Sequence, residues 1–166
     1  MNEASRLLTE VDGALLRVTI NRPDKRNALS LGVLDDIGAA FRAHRNEELK
    51  CAVLTGAGDK AFAAGGDLKE LDSLRTLAEA RSMSSRAHEA LDEIRYFPVP
   101  VIGALNGVAL GGGAELAMAC DIRIGAAHAD FGLIQRPSPL TVTMGLPWSA
   151  ILRSCRLAGG ASDGGT

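Results

Sequence analysis

Residues 106–124 read Asn-Gly-Val-Ala-Leu-Gly-Gly-Gly-Ala-Glu-Leu-Ala-Met-Ala-Cys-Asp-Ile-Arg-Ile. The apolar run 99–105 before them reads as a buried strand, and Asn106-Gly107 marks a turn. After three glycines, residues 114–120 are almost all good helix formers. Gly111, Gly112 and Gly113 therefore belong at the mouth of a helix. The first amides of a helix have no partner inside it and carry the positive end of its dipole. With no side chains in the way, they can approach an anion closely. Glu115 follows Gly112 by three residues, which places an acid on the same helix face as a bare backbone donor. That pairing suits carbonyl chemistry, in which one group holds an oxyanion and the other moves a proton. A plainer reading stands beside it: glycines before an Ala-rich helix allow close packing, and the dipole alone favours a glutamate in the first turn.

The chain has 166 residues, enough for one domain with a sizeable core. Hydrophobic residues make up 46% and charged residues 23%, as expected of a globular fold. Aromatics are only 4%, so the core should be aliphatic and close-packed. A net charge of −2 points to neither nucleic acid nor an anionic membrane as a partner. Cys51, Cys120 and Cys155 are odd in number and far apart, so reduced, buried thiols are expected. His44, His88 and His128 are scattered and show no metal-ligand spacing. The N-terminus lacks the apolar core of a secretion signal, and no run reaches membrane-span length, so a cytoplasmic protein is expected, or an organelle-matrix one if a targeting segment is missing.

From the start, runs 7–11 and 14–20 flank Asp12-Gly13 as a hairpin. Residues 21–27 form a loop. Ser30 should cap a helix running to about His44, with Leu34, Ile37, Ala40 and Phe41 on its buried face. Residues 51–55 form a short buried strand, and 56–67 a Gly/Ala-rich loop without periodicity. Leu71, Leu74, Leu77, Ala87, Leu91 and Ile94 imply one long or two short helices up to Phe97, weakest at 82–85. Pro98 and Pro100 end that helical stretch, and 122–124 is a further strand. Strands alternating with helices argue for α/β layers around buried parallel strands. Residues 136–166, with Pro137, Pro139 and Pro147 and a glycine-rich end, read as a partly irregular tail.

The second informative stretch is Lys-Ala-Phe-Ala-Ala-Gly-Gly-Asp-Leu-Lys-Glu at 60–70, after the 51–55 strand, where α/β proteins place ligand loops. Two such stretches, each after a strand, could converge two backbone donors on one oxygen. Here the chain resembles the crotonase family, the enoyl-CoA hydratase/isomerase superfamily. The resemblance rests on 60–70 and 106–124, with Asn-Arg-Pro-Asp-Lys-Arg-Asn-Ala-Leu at 21–29, Pro-Val-Pro-Val at 98–101 and Ala-Asp-Phe-Gly at 129–132 in support.

The resemblance implies a crotonase-like (ClpP/crotonase) α/β spiral of strand–strand–helix units, usually assembled as trimers or pairs of trimers. It implies an acyl-CoA thioester substrate, coenzyme A being part of that substrate rather than a separate cofactor, and no metal. By motif match, the N–H groups of Gly66 and Gly112 form the oxyanion hole, and Glu115 matches the first catalytic glutamate of hydratases in fatty-acid β-oxidation. The second acid's position holds Gln135, which can orient a water but cannot supply a proton. Hydration remains the leading reaction, with one-acid isomerisation or decarboxylation, or a non-catalytic acyl-CoA binder, as alternatives. Lys25, Ala28, Ala64, Gly65, Gly66, Asp67, Leu68 and Gly112 match the substrate and CoA channel. Substitution at Gly66 or Gly112 is expected to act by steric block.

The match weakens after Gln135. The expected organisation is a crotonase-like core at 1–135 and a divergent tail at 136–166, with most of the family's C-terminal helical region missing, as in a truncated or frame-shifted product. A rival dinucleotide site at Gly56-Ala-Gly-Asp-Lys-Ala61 formally fits Gly-x-Gly-x-x-Ala, but 62–67 lacks the amphipathic helix that such a site needs.

Overall fold

The computed structural model describes residues 5–132. Strands β1 (Leu7–Asp12) and β2 (Leu15–Ile20) form the expected hairpin, antiparallel, with Asp12 opposite Leu15. The two-residue loop is therefore Gly13-Ala14, one position later than the sequence implied, and Gly13 takes the positive φ (+57°) that the tight turn requires. Leu16, Val18 and Ile20 alternate inward and are fully buried. Helix α1 (Leu31–Ala43) starts where Ser30 accepts a hydrogen bond from the Val33 N–H (3.3 Å). Its buried stripe is Val33, Leu34, Ile37 and Phe41, and Phe41 meets Phe97 edge-to-face with ring centroids 5.1 Å apart.

From β2 onward the large sheet is parallel: β3 (Cys51–Gly56), β5 (Val101–Leu105) and β7 (Ile122–Gly125) add in turn, giving the order β1-β2-β3-β5-β7. Between these strands lies a second sheet, which the sequence reading missed. Strands β4 (Ala61–Ala63), β6 (Val108–Leu110) and β8 (Phe131–Gly132) pair in parallel in the order β4-β6-β8. The supposed loop 56–67 thus contains a strand, Ala61–Ala63, whose three residues are all buried. Each repeat runs from a strand of the large sheet to one of the small sheet and then onward, through helices after β4 and after β6. This is the crotonase-like spiral of strand–strand–helix units.

The helices after β4 are α2 (Leu68–Ser73) and α3 (Leu77–Arg95). The break falls at 74–76, not at 82–85. Thr76 forms a reciprocal capping box with Glu79, accepting from the Glu79 N–H while Glu79 accepts from the Thr76 N–H (2.9 Å), which starts a new helix there. Ser82 and Ser85 lie on the exposed side of α3, away from its buried Ala87, Ala90, Leu91 and Ile94, so they do not interrupt it. The last described helix is α4 (Gly112–Ala119). The core fills the space between one face of the large sheet, α1, α3, α4 and the small sheet.

Both described cysteines are free. Cys51 is half-buried, and Cys155 lies outside the described residues. Cys120 is buried against β5, where a Cβ on Gly103 would lie 3.3 Å from its Sγ. Burial pushes its thiol up to about 12.

Candidate functional site

The small sheet brings the two glycine stretches together. β4 and β6 are parallel neighbours, Ala61 opposite Val108 and Ala63 opposite Ala109, so the chain leaves both strands at the same end of the sheet. From β4 it enters 64–67, and from β6 it enters Gly111 and α4. The two exits touch: a Cβ on Gly65 would lie 3.3 Å from the Leu110 carbonyl, and one on Gly113 would lie 1.9 Å from the Ala63 carbonyl. β8 flanks β6 on the other side, and the Gly111 N–H donates to the Gly132 carbonyl (3.0 Å).

Gly111 has φ +51° and stands just outside α4, a backbone shape natural to glycine. Gly112 is the first residue of the helix, so its N–H has no intrahelical acceptor. Glu115 sits in the same first turn, its N–H donating to the Gly111 carbonyl (3.0 Å). Its side chain is half-buried and Oε2 is closed off from solvent.

The facing segment is fixed by the first loop. Ala64 N–H donates to the Arg26 carbonyl (3.1 Å), Leu29 N–H to the Gly65 carbonyl (2.8 Å), and Asp67 N–H to the Leu29 carbonyl (3.0 Å). The Gly65–Gly66 peptide is trans, so a carbonyl held towards Leu29 aims the Gly66 N–H the opposite way. Asn27, wholly buried, accepts from the Arg22 N–H (3.0 Å) and donates to the carbonyls of Ala57 (3.0 Å) and Ala61 (2.7 Å). Asn106 binds the same turn from the far side, accepting from the Gly56 N–H (3.0 Å) and donating to the Gly58 carbonyl (2.8 Å). Asp67 pairs with Arg22 (2.9 Å) and caps α2 by accepting from the Lys69 N–H (3.2 Å).

The Arg22 hydrogen bond holds the Asp67 carboxyl below its usual value of 3.8. A lowered folded-state value means that the pair's stabilisation is fully present above pH 3.8 and is lost as pH falls through the folded value. Acid unfolding followed by circular dichroism should therefore show a contribution in that window that Asp67→Asn removes. An unchanged acid limb would refute it.

The structure brings Ala64, Gly65, Gly66, Asp67, Gly112 and Glu115 to one end of the small sheet, with Ala28 behind them through the Arg22 contact with its carbonyl (2.6 Å). Leu68 opens α2 and is 78% exposed. Lys25 ends an exposed 3-10 turn, Pro23–Lys25. Gln135 and the tail 136–166 lie outside the described residues. His128 donates from Nε2 to the carbonyls of Asp59 (2.9 Å) and Asn106 (3.1 Å), and the His88 ring meets the Ser84 carbonyl, so both contacts are structural. The dinucleotide reading is excluded, because Ala61 opens a strand rather than a helix. Among the described residues no group of three or more His, Cys, Asp and Glu is placed to hold a metal, and no helix is long and apolar enough to cross a membrane.

At Gly66 the protein itself leaves room for a methyl group. A Cβ there would meet only the flexible end of Leu71, 3.0 Å from its Cδ1. Gly66→Ala is expected to raise stability by about 0.4–1 kcal/mol through a less flexible unfolded chain. Thermal melts check this; a variant less stable than wild type would contradict it. Sequence reading also missed Arg22, Asn27 and Asn106 as the loop's anchors. Their residue types are visible within the quoted stretches, but no spacing links Arg22 to a carboxylate 45 residues away.

Residues 10–142 match the enoyl-CoA hydratase/isomerase family model. The chain is 39% identical over 131 residues to a short-chain-enoyl-CoA hydratase of Clostridium acetobutylicum, covering 78% of this chain and 50% of that protein. It is 39% identical over 127 residues to a crotonyl-CoA hydratase of Syntrophomonas wolfei, covering 76% and 48%. Among solved structures, an enoyl-CoA hydratase/carnithine racemase from Magnetospirillum magneticum superposes with a TM-score of 0.80 at 37% identity, over 91% of this chain and 57% of that one. The chain spans about half the length of the curated relatives it matches.

Proposed function

This chain belongs to the enoyl-CoA hydratase/isomerase family, and from that premise we propose that it acts on an acyl-CoA thioester, with the Gly66 and Gly112 N–H groups receiving the thioester oxygen and Glu115 moving the proton. The observation that carries this reading is the parallel pairing of β4 and β6, which delivers both glycine stretches, a helix N-terminus and a half-buried carboxylate to one end of one sheet. For hydration of a 2-enoyl thioester, Glu115 takes a proton as the water oxygen bonds to C3. The double-bond electrons move onto the thioester oxygen between the two donors. The enolate then collapses, and C2 takes the proton back from Glu115. Each donor to that oxygen is worth about 2.7–4 kcal/mol in the transition state. Lys25, Ala28, Ala64, Gly65, Asp67 and Leu68 are proposed to border the CoA moiety, which arrives as part of the substrate. By the same family reasoning, the assembled protein is a homotrimer or a pair of trimers.

Gln135, in the place of the second acid, favours a second reading: a one-acid enolate reaction such as isomerisation or decarboxylation, or binding without turnover. Crotonyl-CoA hydration, followed by loss of the conjugated thioester absorbance, separates these. Turnover supports the hydratase. Binding of the ester without turnover supports the second reading. Absence of both overturns the acyl-CoA assignment.

A further inference from the structure

We propose that Arg22 is a positioning residue that aims the Gly66 N–H, an inference that rests on the role given to Gly66 above. Gly65 and Gly66 are adjacent glycines, the first at φ +114°. Neither has a side chain to hold it, and each explores more backbone space than any other residue type. Their orientation must come from outside the pair.

The outside constraint is a closed ring of contacts. Leu29 N–H holds the Gly65 carbonyl, and the Leu29 carbonyl holds the Asp67 N–H, so the two peptides flanking Gly66 are pinned to one residue of the first loop. Arg22 closes the ring behind them. One guanidinium nitrogen donates to the carbonyl of Ala28, the residue before Leu29 (2.6 Å), and the other to the carboxylate of Asp67, the residue after Gly66 (2.9 Å). The Arg22 and Asp67 side chains are only 12% and 15% exposed. Such a pair is shielded from the screening that makes surface ion pairs weak. A planar fork can grip two acceptors at a fixed angle, which the single ammonium of lysine cannot do. Asn27 in turn holds the Arg22 N–H. The guanidinium of Arg22 spends its hydrogen bonds on the Ala28 carbonyl and the Asp67 carboxylate, so Arg22 acts through the loop.

The test separates aim from folding. Butyryl-CoA carrying ¹³C at its thioester carbonyl cannot be hydrated, and hydrogen bonds to that oxygen lower its stretching frequency. Isotope-edited infrared difference spectra are taken on the bound ester for the wild-type chain, Arg22→Ala and Asp67→Asn, with affinity measured by calorimetry and turnover measured on crotonyl-CoA. The expected result is a clear downshift in the wild type, its substantial loss in Arg22→Ala, and a smaller loss in Asp67→Asn. For Arg22→Ala the dissociation constant should stay within about threefold and kcat should fall about tenfold or more, below the about 10²–10³ of a donor lost outright. Should Arg22→Ala not fold, Asp67→Asn, nearly identical in shape, carries the comparison. A wild-type downshift left intact in the folded variants overturns the positioning role. No downshift in the wild type overturns the oxyanion reading itself.

Discussion

A Glu115→Gln variant is expected to lose about 10²–10⁴-fold in crotonyl-CoA turnover while its affinity for the thioester changes by less than about threefold. The two side chains are close in size, so the first turn of α4 and its Glu115-to-Gly111 bond should survive. The proton capacity does not survive: a carboxamide cannot accept a proton from water and return it to carbon. On the proposed reading, binding would rest instead on backbone donors and on contacts with the CoA moiety, which the substitution leaves alone. Steady-state rates and calorimetry on the same preparation check the split. Turnover within tenfold of wild type would remove Glu115 from the chemistry. An equal fall in affinity would turn its role into one of ground-state binding.

The largest expected effect on stability is at Gly113. Inside a helix, exchanging glycine for alanine ordinarily stabilises by about 1 kcal/mol. Here a Cβ would lie 1.9 Å from the Ala63 carbonyl oxygen and 2.7 Å from its carbon, and both are backbone atoms of the buried strand β4. No rotamer relieves such a contact. Either α4 lifts from the small sheet or β4 loses its pairing with β6. Overpacking against side chains typically costs about 1–3 kcal/mol, occasionally more, and a backbone wall gives less. Gly113→Ala should therefore destabilise by about 3 kcal/mol, a fall of roughly 6–12 °C in melting temperature for a chain of this size. Denaturant unfolding would measure it. A variant as stable as wild type would mean that helix and strand are not packed this closely.

That packing explains what could and could not be read from the residues alone. The large sheet and α1 are legible because each has a regular pattern. Leu16, Val18 and Ile20 alternate, and Ser30 precedes a stripe at helical spacing. The small sheet is hidden because its strands are three, three and two residues long, too short for any period to show. Alanine and glycine dominate around it, since α4 and β4 approach too closely for anything larger, and that composition resembles a loop. The helix break at 74–76 is set by the box between Thr76 and Glu79, a local signal weaker to the eye than the serines at 82–85. At the site, the glycine stretches and Glu115 announce themselves, because bare amides beside an acid are an unusual combination. Their supports do not. Arg22 and Asp67 meet only through the folded chain, and Asn27 is a buried amide within an otherwise polar loop.

The sulfur of Cys120 offers a clock for this molecule. It closes the same helix that carries Glu115, lies over β5, and is held protonated far above neutral pH. Alkylating reagents need a thiolate and open access, so at neutral pH this sulfur stays silent until α4 swings away from the sheet. In a chain whose other two cysteines are replaced by alanine, the labelling rate reports how often that helix opens. Ligand-dependent slowing of the label would then register, in seconds or hours, how tightly a bound molecule holds the helix shut.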